Sequence, residues 1–267
     1  MRRAVMTQDQ LLQIFSNRTD QDYLRAHAQR FLRTRAILNQ GWHESEAAIL
    51  DIGAHWLHQA ALFSADGHQV TAANLATMSE HPEVKSLAHE HNISLISYTN
   101  LSDSNCLSHV PDSSVDLVMF CEIIEHITFN PLEMWREIYR VLKPQGRVVV
   151  TTPNFYALKS IMTTVVRLLT GRGTGIEVRD ILERHTFSPH WKEFSTQELR
   201  SYFQALSPDF MVRRCVTFNH IGVVPGAGWL RRALAALRTG LQWPRQSIFL
   251  EVELSDKVYG ITPRLRW

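Results

Sequence analysis

The chain is poor in cysteine: its 267 residues include three, Cys106, Cys121 and Cys215, and no two are close enough to form a CxxC pair. That excludes a disulfide framework and a thiolate zinc site, and implies ordinary reduced thiols. Long apolar runs are missing as well. No stretch approaches the roughly 20 residues a membrane-spanning helix needs, and the opening MRRAVMTQDQLLQIF has no uninterrupted apolar segment of the kind a secretory signal carries. A cytoplasmic protein is therefore expected. Nor is there a strong excess of one charge: a net charge of +2 is too small for nucleic-acid binding by bulk electrostatics. One region departs from this balance. Between Phe210 and Leu250 there is no Asp, Glu or Lys, while six arginines occur, Arg213, Arg214, Arg231, Arg232, Arg238 and Arg245.

What the chain does have is core: 45% hydrophobic against 20% charged residues, enough at this length for one α/β domain with decorations. Tyr23, Leu24, His27, Phe31, Leu32 and Leu38 recur at helical spacing after a Thr19-Asp20 start, predicting a capped amphipathic helix. AAILDIG, residues 47–53, reads as a strand buried on both faces and closed by glycine. A helix to Gly67, a strand ending at Asn74, a helix over 82–91 and strands over 93–98 and 115–120 continue the alternation. Asn130-Pro131 opens a further helix, with Pro131 at its first position; the turn KPQG, residues 143–146, ends it and launches RVVVTT. Helices over 156–170 and 196–206 and strands FMVRRCVTF and SIFLEVEL complete the pattern. Strands alternating with helices predict a Rossmann-like, doubly wound α/β sheet with helices on both faces, mostly parallel with an antiparallel last strand. The expected organisation is a single domain over 1–267: N-terminal helices in 1–44, a cofactor-binding half in 45–154, and insertions at 155–191 and 219–245 that cover an acceptor site.

ILDIGA in the first strand, VPDSSVDLVMFCEIIEHI through the fourth, LEMWREIYRVLKPQGRVVVTTPN and the late HWKEFSTQELRSYF together resemble the class I S-adenosylmethionine-dependent methyltransferases, in the branch with an EH pair after the fourth strand. The resemblance spans roughly residues 47–218. It implies methyl transfer from S-adenosylmethionine, with Asp51, Gly53, Ala54, His55, Asn74, Asp103 and Cys121 around the donor and Asn100 as the alternative to Asp103. Here the chain departs from the family. Members usually place glycines where His55 and Leu57 stand, because the backbone must approach the cofactor closely, and a ribose-binding carboxylate where Asn74 stands. The bulky side chains are expected to crowd the loop, and a neutral amide to bind more weakly, since charge-assisted hydrogen bonds are roughly twice as strong as neutral ones. An active enzyme and a domain that kept the fold as a scaffold or regulatory partner both remain open.

Glu122, Glu125 and His126 in CEIIEHI would share one face if that turn were helical. The resemblance to metal-assisted methyltransferases then implies a Mg²⁺ or Mn²⁺ site at Glu122, Glu125, His126 and His190, with His185 as the alternative later ligand. Without metal, His126 or His190 is a candidate general base assisted by Glu125. GWLRRALAALRTGLQW carries an apolar stripe with arginines outside it, so residues 229–243 are a candidate for peripheral membrane contact or for packing on the sheet or on a second copy in a homodimer. The expected acceptor is a hydroxyl of a small molecule or of a lipid- or glycan-linked compound. RNA methylation is the weaker alternative, because no basic tail accompanies the core.

Overall fold

The computed structural model describes residues 7–15, 21–171, 175–185, 188–219 and 245–263. Seven strands form one sheet: β1 (Ala48–Ile52), β2 (Gln69–Leu75), β3 (Ser94–Tyr98), β4 (Val115–Cys121), β5 (Leu142–Pro153), β6 (Phe210–Phe218) and β7 (Ser247–Leu254). Their order across the sheet is β3-β2-β1-β4-β5-β7-β6. β1 to β5 run parallel, while β7 is antiparallel to both β5 and β6. This is the Rossmann-like sheet expected from the alternation of elements. The nucleotide-sized crevice of such a sheet lies beyond the C-terminal ends of β1 and β4, where the strand order reverses.

The helices are α1 (Gln8–Ile14), α2 (Gln21–Leu38), α3 (His58–Ala65), α4 (Ala76–Ser79), α5 (Pro82–Glu90), α6 (Leu132–Val141), α7 (Leu158–Leu169), α8 (Val178–Glu183) and α9 (Thr196–Leu206). One face of the sheet buries Trp135 and Ile138 from α6 with Leu199 and Phe203 from α9. The other buries Leu24 and Phe31 from α2, Phe63 from α3 and Leu87 from α5. Each of these aromatic side chains removes 150–250 Å² from water in a typical core, so the helix positions that line the sheet are set by this burial. Helix α9 starts on a capping box: the Ser195 hydroxyl accepts from the Glu198 N–H, and the Glu198 carboxylate accepts from the Ser195 N–H.

Two expectations change here. KPQG does not separate helix from strand. β5 already begins at Leu142, which pairs with Val115, and the segment forms a bulge before Arg147 pairs with Leu117. A Cβ on Gly146 would lie 2.8 Å from the Lys143 carbonyl, so glycine is required at the bulge. Pro131 stands at the N-cap rather than inside the helix, and the Asn130 Oδ1 accepts from the Leu132 N–H at 3.1 Å.

The late arginines separate into two groups. Arg213 forms a bidentate pair with Glu253, at 2.6 and 3.1 Å. Arg214 donates to the Ile37 carbonyl at 2.6 Å and lies 3.5 Å from buried Glu251, and Arg245 donates to the Thr217 carbonyl at 2.9 Å. These three hold the β6–β7 edge together, so they are not an anion-binding surface. Arg231, Arg232 and Arg238, the whole proposed membrane-contact segment 229–243 and the Thr19-Asp20 helix start lie outside the described residues. Among the described residues no helix is long and apolar enough to cross a membrane.

Candidate functional site

After β1 the backbone turns into α3 through three positive-φ residues, Gly53 at +68°, His55 at +50° and Leu57 at +63°. These are the positions at which the resembled family carries glycine, so the glycine-type path is kept while two of its side chains are not. A left-handed conformation costs a non-glycine residue about 1–2 kcal/mol, and the surroundings must hold it. Leu57 is fully buried in the core beneath α3. The His55 ring lies 4.8 Å from that of Tyr23 and 5.6 Å from that of Trp56. The expected crowding by Leu57 is therefore corrected, because its side chain points into the core and not into the crevice.

Asn74, at the end of β2, is buried. Its Oδ1 accepts from the His55 N–H at 2.7 Å, and its Nδ2 donates to the His55 carbonyl at 2.9 Å. Both ends of the amide thus clamp the loop in its left-handed bend. Asn74 lines neither of the cavities described next, so its placement differs from the ribose contact that the resemblance implies.

Two small cavities flank Gly53. One, of about 140 Å³, is lined by Leu75, Tyr98, Asn100, Leu101, Ile123 and Phe129, a flat, mostly apolar slot suited to a purine ring. The other, of about 170 Å³, is lined by Tyr23, Arg30, Asp51, Ala54, His55 and Glu122, with Cys121 at its wall, and its charges suit the amino-acid end of the donor. Gly53 and Glu122 line both, and Ile123 of the apolar slot packs on Gly53: a Cβ there would lie 2.4 Å from its Cδ1. Small-molecule sites usually enclose about 300–1,000 Å³, so each cavity alone is smaller than a typical ligand site. Asp103 is exposed and lines neither cavity, whereas Asn100 lines the apolar slot and accepts from the Ser102 N–H at 3.0 Å.

The charged cavity holds a carboxyl with an unmet need. Asp51 is buried, its Oδ2 has no hydrogen-bond partner among the described residues, and burial pushes its pKa up to about 7. Arg30 Nη1 lies 3.3 Å from Glu122 Oε2, and the Thr151 hydroxyl donates to Glu122 Oε1 at 3.0 Å. Arg30, Tyr23, Tyr98 and Ile123 escaped the sequence reading. Tyr23, His27 and Arg30 do follow one another at i, i+4 and i+7 beside the apolar stripe of α2, which is a readable signal.

The ExxEH turn is not one helical face. Glu122 has φ +56° and faces Arg30, and only Ile124–His126 form a single 3-10 turn. Glu122 is thereby separated from the proposed metal set. The other three meet: ligand atoms of Glu125, His126 and His190 lie within 4.8 Å of one another. His126 Nδ1 sits 3.1 Å from the Pro189 carbonyl, which can only accept, so Nδ1 carries the proton and Nε2 presents a lone pair. Nε2 lies 3.9 Å from Glu125 Oε1, an atom that is buried without a hydrogen-bond partner. Glu125 Oε2 accepts from the Thr152 hydroxyl at 2.9 Å. Burial, and then the nearby Glu122 charge, hold the Glu125 carboxyl well above the usual range, while burial and then His190 lower the His126 imidazole.

Residues 50–150 match the family described as a methyltransferase domain. Over that segment the chain is similar to methyltransferase domains. Solved structures agree in fold. A SAM-dependent methyltransferase from Methanosarcina mazei is 15% identical with a TM-score of 0.56, over 82% of this chain and 97% of that one. One from Aquifex aeolicus is 12% identical with a TM-score of 0.54, over 93% and 99%. The [4+2]-cyclase SpnF is similar too, at 15% identity and a TM-score of 0.53 over 84% and 80%, so the fold does not by itself fix the reaction. No curated protein matches the chain. The matched segment contains the loop after β1, Asn74 and the EH turn, while His190 and α7 lie beyond it.

Proposed function

We propose that this chain is an S-adenosylmethionine-dependent methyltransferase and that it methylates a hydroxyl oxygen of a glycan, a lipid-linked intermediate or a secondary metabolite. The observation that carries the reading is the His126 Nε2 lone pair, fixed by the Nδ1 contact to Pro189 at 3.1 Å, at the C-terminal end of β4 beside Gly53 and Glu122. The residues present fit the donor: an apolar slot for its base, a left-handed Gly53 beneath it, and Arg30 and Asp51 for its charged amino-acid end. Bound S-adenosylmethionine supplies an electrophilic methyl group. The protein aligns the acceptor with it, and His126 Nε2 takes the hydroxyl proton. The Glu125 carboxyl, held well above its usual range by burial and the Glu122 charge, favours a neutral imidazole able to accept.

Glu125, His126 and His190 also form a donor set of one oxygen and two nitrogens that suits Mn²⁺ better than Mg²⁺. A cation held by these three side chains would supply Lewis-acid assistance to removal of the acceptor's hydroxyl proton.

A second reading, a non-catalytic domain that kept the fold, is favoured by Ile123 lying over Gly53 and by the use of Asn74 on the loop. Titrating the purified chain with S-adenosylmethionine by calorimetry separates the two. Binding is expected in the micromolar to millimolar range; no heat and no thermal shift at millimolar donor would sink the enzyme reading.

A further inference from the structure

A third cavity, of about 790 Å³, opens at the C-terminal end of β5, between the segment that follows Pro153, helix α7 and the HWKEF segment. It is of a size that holds a whole small-molecule ligand. It shares no lining residue with the two donor-side cavities and reaches the EH turn through His190, whose ring lies 4.9 Å from that of His126.

The wall that α7 presents to this cavity is its polar stripe. Ser160, Thr163, Thr164 and Arg167, at i, i+3, i+4 and i+7, line it. The apolar stripe of the same helix, Met162, Val165, Val166 and Leu169, is exposed, Leu169 to 82%. An amphipathic helix ordinarily buries its apolar stripe. Here the hydroxyl-bearing face is turned toward the cavity instead, so a polar lining is what the helix orientation provides.

The two cations in that wall already meet opposite charges. Arg167 Nη2 donates to Glu177 at 2.7 Å and Lys192 Nζ donates to Glu198 at 2.8 Å. A strongly charged ligand would have to break these pairs. A neutral ligand with many hydroxyls would add hydrogen bonds without doing so. Phe155 and Trp191 complete the wall with partly exposed aromatic faces. Flat aromatic faces beside short hydroxyl side chains complement a pyranose, whose C–H face stacks while its rim hydroxyls form hydrogen bonds.

We infer that this cavity binds a neutral saccharide, and that a ring hydroxyl of that sugar is the group presented past His190 to His126. The second half of this inference rests on the methyl-transfer reading above; the first half stands without it.

The test is binding of the full chain, without donor, to an array of immobilised neutral and acidic oligosaccharides. Retention on neutral saccharides is expected, weakened at least tenfold by Trp191→Ala and about threefold by Thr164→Val, which preserves side-chain volume; thermal melts check that both variants fold. Retention on no saccharide, or on acidic ones only, overturns the inference, as does binding that neither variant changes. Because donor is absent, the outcomes separate. Saccharide binding together with a failed S-adenosylmethionine titration overturns only the methyl-transfer reading. Donor binding together with an array that retains nothing overturns only the saccharide.

Discussion

The carboxamide of Asn74 closes a two-bond ring on the backbone of His55, accepting from its N–H at 2.7 Å and donating to its carbonyl at 2.9 Å. An aspartate there keeps the acceptor, loses the donor and sets a charge against the carbonyl. Asn74→Asp is therefore expected to lower stability by about 1–3 kcal/mol in chemical denaturation, the usual cost of leaving a buried polar group unmet. Adding His55→Gly should recover part of that loss, because glycine lets the loop relax away from the carboxylate. Equal stability of Asn74→Asp and the native chain would show that the clamp contributes nothing.

Glycine at the two other left-handed positions should act with opposite signs. His55→Gly removes a strained backbone worth about 1 kcal/mol or more and loses only a partly exposed ring, so its stability should hold or rise. Leu57→Gly relieves the same strain but empties a fully buried site. Deleting a buried leucine costs about 2–5 kcal/mol, which exceeds the relief. A melt in which both variants move the same way would contradict this account.

The centre of the sheet is legible in the sequence because β1, β4 and the RVVVTT half of β5 are short apolar runs, and such runs report burial directly. KPQG reads as a turn because a turn and a bulge use the same residues, and only the pairing of Leu142 with Val115 tells them apart. The donor loop was half legible: the missing glycines are visible in the sequence, but not that Leu57 points into the core or that Ile123 reaches over Gly53. Glu122 and Glu125 were placed on one helical face by a periodicity that the +56° φ of Glu122 breaks. His190 could be paired with the EH turn from the HWKEF resemblance, since two histidines 64 positions apart carry no local signal of their contact.

Asp51 should make stability fall with rising pH. Folding raises its carboxyl from 3.8 to about 7 through burial, so the folded chain keeps a proton that the unfolded chain releases. Between pH about 4 and 7 the unfolded state therefore binds fewer protons, and unfolding becomes easier as pH rises, by up to about 4 kcal/mol in all. Asp51→Asn abolishes this dependence. It should raise the melting temperature at pH 8 and leave it nearly unchanged at pH 4. A variant with the same gain at both pH values would locate the effect elsewhere.

Glu125→Gln divides the two versions of the chemistry at the EH turn. If His126 acts alone as the base, glutamine keeps the size and the Thr152 contact of a carboxyl whose charge burial disfavours, and turnover should fall less than about tenfold, while His126→Ala should cost about 10²–10⁴-fold. The acid limb of the kcat/KM profile should then lie below 6.5, because burial and the neighbouring His190 lower the His126 imidazole. If the trio holds a cation, Glu125→Gln removes its one anionic ligand. EDTA should then abolish turnover and Mn²⁺ restore it. A thermal shift on adding Mn²⁺, present in the native chain and lost in Glu125→Gln, reads the ion without reference to activity. No shift, together with turnover indifferent to EDTA, would leave the buried carboxyl its first role, holding the imidazole neutral with Nε2 toward the acceptor.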